Sequence, residues 1–72
     1  MNDRYVKDFF SAIVPSRADA FGRNIVGRVI GWKRTNSGSL GAIVVFPHLN
    51  GKYLYDLDPH NPMRVRFQHR LK

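Results

Sequence analysis

The chain has 72 residues, which is enough for one small domain but not for two, so we predict a single domain over residues 1–72. The absence of cysteine excludes disulfides, thiolate zinc sites and cysteine nucleophiles. A formal net charge of +7 indicates an acidic partner, either a nucleic acid (DNA or RNA) or an acidic protein surface. No apolar run is long enough to span a bilayer and polar residues follow Met1, so we expect a cytoplasmic protein without membrane contact.

The N-terminal segment has the apolar spacing of an amphipathic helix. Its apolar stripe consists of Tyr5, Val6, Phe9, Phe10, Ile13 and Val14. Asn2 or Asp3 can cap this helix, and Pro15 ends it because proline disfavours helical geometry in the preceding residue. Part of the stripe, namely Phe9, Phe10 and Ile13, is a candidate partner or dimer interface if it is left exposed.

A second short helical element is expected before the change to β-structure. Ser16 and Asp19 have the spacing of a capping box, and Gly22 is a typical residue for ending a helix. We therefore predict one more helical turn over residues 17–21. Together with the first helix, it makes residues 1–22 a helical lead-in to a β-domain over residues 23–72.

From Ile25 onward the apolar residues follow the two-residue period of β-strands. Polar turn sequences at 35–39, 49–52 and 58–62 separate four such segments, which predicts an antiparallel meander. The predicted fold is therefore mainly β with an N-terminal helix. Short, glycine-bent strands favour closure into a small SH3-like barrel, and the alternative is an open four-stranded meander packed by the one α-helix.

Basic residues are interleaved with aromatic ones in the predicted sheet. Residues 23–72 carry nine Lys and Arg against two Asp, which accounts for the whole net charge. Arg28, Trp32 and Arg34 share one parity of the first strand, while Arg64 and Arg66 share one parity of the last. Since the first and last strands of a small barrel lie close together, we expect these side chains to form one binding patch.

The complete candidate site for a nucleic acid or another polyanion combines these basic side chains with possible stacking platforms. It consists of Arg28, Trp32, Lys33, Arg34, Tyr53, Tyr55, Arg64, Arg66 and Arg70. The alternative is that Trp32 belongs to the core and the arginines keep edge strands soluble. Similarly, the loop at residues 33–39 either grips a phosphate or is a solvated hairpin tip.

Nothing in the sequence predicts catalysis. The three histidines match no metal-ligand spacing, and no serine lies in a nucleophile motif. Asp56 and Asp58 can face the same side of a strand, but the flanking sequence indicates no cleft for paired carboxylates. We expect no catalytic residue, no metal site and no cofactor.

One stretch resembles a known enzyme family. Residues 27–36 read Gly-Arg-Val-Ile-Gly-Trp-Lys-Arg-Thr-Asn and are similar to a stretch of the plasmid-borne type II dihydrofolate reductases. That resemblance implies an SH3-like barrel that assembles as a tetramer around a positively charged pore. The substrate-contacting Val-Gln-Ile-Tyr stretch of that family has only Lys-Tyr-Leu-Tyr at residues 52–55 as a counterpart. Because the glutamine is missing, we expect no reductase turnover.

The sequence thus leaves three functions open. The first is a non-enzymatic nucleic-acid-binding module, and the second is a small phage- or plasmid-type effector that binds and inhibits or redirects an acidic host protein. The third is the reductase, which the resemblance alone suggests. Homo-oligomerisation is compatible with each of them. A contiguous positive surface would favour the first function, whereas arginines neutralised individually by aspartates would count against it.

Overall fold

A computed structural model describes residues 3–71 and consists of one helix followed by six strands. The elements are α1 (Asp3–Ala12), β1 (Ser16–Ala18), β2 (Asn24–Val26), β3 (Arg28–Arg34), β4 (Leu40–Val45), β5 (Lys52–Leu57) and β6 (Val65–Leu71). The prediction of a mainly β protein with an N-terminal helix is confirmed. Asn2, one of the two predicted caps, lies outside the described residues. No helix within the described range has the length and apolar character needed to cross a membrane.

The strands form two antiparallel sheets. The larger sheet has the order β3-β4-β5-β6, and β1 pairs only with β2. This arrangement confirms the meander packed by a helix. Within residues 3–71 the large sheet stays open, because β3 and β6 form its opposite edges. The first and last strands of the meander are therefore not neighbours, as they would be in a closed barrel.

Aromatic side chains hold the helix and the sheet together. Phe10 is completely buried, and its ring meets the Trp32 ring edge-on with the centres 6.1 Å apart. Phe46 lies between Tyr53 and Tyr55, with ring centres separated by 5.5 and 6.2 Å. Edge-to-face pairs of this kind contribute about 0.5–1.5 kcal/mol beyond the burial of area. The core is thus concentrated between α1 and the two central strands.

The predicted helical turn over residues 17–21 is wrong. Ser16–Ala18 forms strand β1, which pairs with β2. The carboxylate of Asp19 accepts hydrogen bonds from the backbone N–H groups of Phe21 and Arg23, each 2.9 Å long. These bonds stabilise a tight hairpin turn, since a side-chain acceptor competes with helical hydrogen bonding. Only residues 3–12 of the predicted lead-in are helical.

Candidate functional site

The large sheet has two faces that differ in what packs on them, and the strand registers assign each residue to one face. The covered face carries Val29, Trp32, Arg34, Leu40, Ala42, Val44, Tyr53, Tyr55, Leu57, Val65, Phe67 and Arg70. The open face carries Arg28, Gly31, Lys33, Gly41, Ile43, Val45, Lys52, Leu54, Asp56, Arg66, His69 and Leu71.

Both the helix and the small hairpin contact the covered face. Phe10 of α1 packs on Trp32, as described above. From β1, the guanidinium of Arg17 lies 5.1 Å from the centre of the Tyr53 ring and donates a 3.1 Å hydrogen bond to the hydroxyl of Tyr55. The helix and the hairpin therefore do not cover the open face, where Leu54 and Asp56 are nevertheless buried and Arg28, Lys33 and Lys52 are exposed.

A β-bulge in β3 changes the predicted arrangement of basic residues. The register shifts between Val29 and Gly31, so the strand contains one extra residue, Ile30, which is 45% exposed. Arg28 consequently lies on the open face, whereas Arg34 lies on the covered face. The prediction that Arg28 shares a face with Trp32 and Arg34 is wrong. The extra residue of the bulge shifts the alternation of side chains between the two faces by one position.

The predicted stacking platforms lie on the covered face. Tyr53 and Tyr55 are buried, and Trp32 is half-buried against Phe10 with Lys7 over its ring at 5.8 Å. The expectation that the two tyrosines present their rings to solvent is wrong, and Trp32 belongs to the edge of the core. The register places no Phe, Tyr or Trp ring of the described sheet residues on the open face, whose only ring is the imidazole of His69.

Three cations on the open face have no acidic partner among residues 3–71. Arg28, Lys33 and Lys52 are exposed, and none of them forms a salt bridge or a side-chain hydrogen bond there. From the spacing of strands and residues, the Cα atoms of Arg28 and Lys52 lie about 10 Å apart across the sheet, and those of Arg28 and Lys33 about 13 Å apart along the strand. Between them lie Ile43 and Val45, both half-buried. The result is a small apolar patch bordered by positive charge.

The fourth cation of this face, Arg66, is tied to a buried carboxylate. Its Nε donates a 3.0 Å hydrogen bond to Oδ1 of Asp56, which is fully buried. Gln68 donates a second bond of 2.6 Å to the same oxygen, and Ser39 donates a 3.4 Å bond to Oδ2. Hydrogen bonding to Asp56 raises the pKa of Arg66, so its charge is permanent but largely compensated.

Arg34 is likewise paired with an aspartate. Its two Nη atoms donate to the carboxylate of Asp3 at 3.1 and 2.6 Å, and this hydrogen bonding lowers the pKa of Asp3. The structure brings Arg34 and Arg66 to one cleft of about 450 Å³ at the end of the sheet. Since each has its own aspartate, this convergence leaves little net positive charge in the cleft.

Of the remaining predicted cations, Arg70 pairs in register with Tyr53 on the covered face. Arg64 precedes β6 in the connection from β5, where its carbonyl accepts a 2.8 Å bond from the Asp58 N–H. Conversely, Lys52 was not among the predicted site residues. The alternation of Tyr53, Tyr55 and Leu57 toward the core indicates that Lys52, which precedes Tyr53, faces the opposite side of the sheet, and this signal could have identified Lys52.

The helix stripe does not form the predicted partner interface. Of the three predicted interface residues, Phe9 and Phe10 are buried in the core and Ile13 is 49% exposed. A stripe that packs on its own sheet is not available to a partner. Among the described residues, moreover, no group of three His, Asp or Glu side chains is arranged to hold a metal ion.

The sequence matches no protein-family model, and neither a curated protein nor a solved structure shows significant similarity to it. In the stretch that resembles the reductases' substrate-contacting segment, Tyr53 and Tyr55 are both buried.

Proposed function

We propose that this protein is a non-enzymatic nucleic-acid-binding module that contacts the phosphate backbone through the open face of its large sheet. The observation that carries the proposal is the set of three cations, Arg28, Lys33 and Lys52, which are exposed and unpaired within residues 3–71 on the face opposite α1 and the β1–β2 hairpin. Lysine and arginine that neutralise phosphates release counterions, which drives association with nucleic acid.

The distribution of acidic residues supports the same surface. Asp3 and Asp8 belong to α1, and Asp19 belongs to the β1–β2 turn, so all three lie on elements that pack on the covered face. On the open face the register places Asp56, whose carboxylate is buried and compensated, and Asp58 follows β5 near Arg66, with whose charge it interacts. Arg28, Lys33 and Lys52 have no such acidic partner within residues 3–71. Positive charge therefore dominates the open side of the sheet, which attracts polyanions.

Within residues 3–71 the open face lacks Phe, Tyr and Trp rings, which determines the mode of binding. Without a large stacking platform, recognition depends mainly on phosphates and on the shape of the backbone, so we expect weak dependence on base sequence. The half-buried Ile43 and Val45 give the patch an apolar floor that can contact sugars without desolvating a polar side chain of the protein.

The proposal is tested by fluorescence anisotropy with a labelled 20-base-pair DNA duplex and a labelled single-stranded RNA of the same length. The double variant Lys33→Gln/Lys52→Gln is expected to weaken binding by about tenfold or more at low salt. The charge-matched control Lys7→Gln/Arg23→Gln removes two cations from the other side of the molecule. It is expected to weaken binding by no more than about twofold.

Two results would contradict the proposal. If both double variants lose affinity equally, total charge rather than the open face determines binding. If neither oligonucleotide binds, the effector that binds an acidic host protein becomes the better account.

A further inference from the structure

The outer edge of β3 is an unused hydrogen-bonding edge. β3 pairs with β4 on one side only. Just before it, the Gly27 N–H donates a 2.9 Å bond to the carbonyl of Pro15, and beyond that point no backbone group on this edge has a partner within residues 3–71. An edge of this kind is a template for a further strand.

A groove runs along this edge beside the helix. Its volume is about 600 Å³, and α1 and the residues after it contribute Phe10, Ser11 and Val14 to one wall. The other wall consists of six consecutive residues, 27–32. Consecutive residues can all line one groove only where the backbone itself borders it, since side chains alternate between the faces. The groove thus gives access to the free edge of β3.

We infer that this edge binds an extended peptide segment of an acidic protein in which aliphatic and acidic residues alternate. A strand added to β3 would point every second side chain into the groove, beside Val14 and Trp32, which are half-buried. The intervening side chains would lie on the open face, next to Arg28 and Lys33. The groove selects aliphatic residues, and the two unpaired cations select carboxylates.

Charge complementarity favours such a peptide over a second copy of this chain. Antiparallel pairing of two β3 strands about Gly31 would place Arg28 opposite Lys33 of the second copy, because the bulge at Ile30 puts both two register positions from Gly31. Parallel pairing would place Arg28 beside the same residue of the second copy. Like charges at directly opposed positions destabilise strand pairs, whereas glutamate or aspartate at those positions stabilises them.

The first test uses two labelled heptapeptides of the same composition. One alternates as Glu-Val-Glu-Val-Glu-Val-Glu, and the other has the order Glu-Glu-Glu-Glu-Val-Val-Val. Because only the first matches both faces of an added strand, it is expected to bind at least about tenfold more tightly. Equal binding of the two peptides would overturn the inference, since it would show attraction to charge alone.

The second test fills the groove. Ser11 is exposed on the helix, and Ser11→Trp is expected to weaken binding of the alternating peptide by about fivefold or more. Ala12→Trp adds the same bulk to an exposed helix position outside the groove wall and is expected to have no effect. Equal effects of the two variants would overturn the inference.

The same variants separate this site from the nucleic-acid surface. Ser11→Trp leaves the open face unchanged, so DNA binding is expected to persist while peptide binding is lost. Sedimentation of the wild-type protein tests whether a second copy of the chain, rather than a peptide, occupies the edge of β3. A dimer that Ser11→Trp dissociates would show that a second copy fills the edge and would overturn the peptide assignment.

Discussion

Nε of Arg66 lies 3.0 Å from Oδ1 of Asp56, so a half-exposed guanidinium on the open face is held by a fully buried carboxylate. A buried carboxylate needs such partners because burial without them carries a large desolvation cost. The pair therefore fixes β6 against β5 and, at the same time, removes most of the charge of Arg66 from the proposed binding surface.

Asp56→Asn is expected to have opposite effects on folding and on binding. The amide keeps the shape of the side chain but weakens its hydrogen bonds, which lowers the free energy of unfolding by about 1–2 kcal/mol. Arg66 becomes uncompensated, so the affinity for duplex DNA rises. Urea unfolding and anisotropy measure the two effects, and a decrease in DNA affinity of the folded variant would contradict this account of Arg66.

The single tryptophan reports on which side of the sheet a ligand binds. Trp32 lies on the covered face against Phe10, away from the open face. Saturation with a DNA duplex is expected to leave its emission unchanged, whereas the alternating peptide alters it because Trp32 also lines the groove beside β3. Strong quenching by DNA would instead indicate stacking on the indole ring.

The burial of the His48 side chain lowers the stability of the fold, because its ring nitrogens lose hydrogen bonds to water. Both of its ring nitrogens are buried without a hydrogen-bond partner within residues 3–71, and its ring packs edge-on against Phe46 at 6.0 Å. His48→Phe keeps the ring contact and removes the unsatisfied nitrogens, so it is expected to stabilise the protein by about 1–2 kcal/mol. The control His60→Phe, at an exposed turn position, should change stability by less than about 0.5 kcal/mol. Thermal and urea unfolding measure both effects, and a lower stability of His48→Phe than of the wild-type protein would contradict the prediction.

Gly41 allows close packing on the open face. A β-carbon built at this position would lie 2.8 Å from Cδ1 of Leu54 and 2.9 Å from the carbonyl oxygen of Tyr55. Gly41→Ala is therefore expected to destabilise the protein by about 1–3 kcal/mol, since the backbone oxygen cannot move away easily. Gly31→Ala serves as the control because its nearest atom is Cδ1 of Ile43 at 3.6 Å. Equal unfolding midpoints of the two variants would contradict this packing.

Local patterns predicted the helix and the four strands of the meander, but they missed β1 and wrongly joined Ile25 and Val26 of β2 to the first strand of the meander. The stripe through Val6, Phe9 and Phe10 indicated an amphipathic helix before Pro15, and the observed helix ends at Ala12. Turn residues separated the strands of the meander correctly because their conformational preferences act over a few residues. Closure of the sheet could not be predicted in the same way, since it depends on long-range geometry that no local pattern encodes.

The candidate site was harder to predict because it depends on which face each side chain occupies. The bulge at Ile30 reverses the face of Arg28 relative to Trp32, and no single residue type marks a bulge. The pairing of Arg34 with Asp3 joins residues 31 positions apart, so the sequence alone gave no reason to discount that arginine. Aromatic content suggested stacking, but Tyr53 and Tyr55 are needed in a core this small.

The salt dependence of DNA binding tests the central claim most directly. Each phosphate neutralised on duplex DNA contributes about 0.9 to the slope of log affinity against log salt concentration. With Arg28, Lys33 and Lys52 in contact, affinity should fall about 40-fold between 50 and 200 mM salt, and Lys33→Gln/Lys52→Gln should reduce the slope by about two. A salt-independent affinity, or a slope that the double variant leaves unchanged, would contradict phosphate binding on the open face.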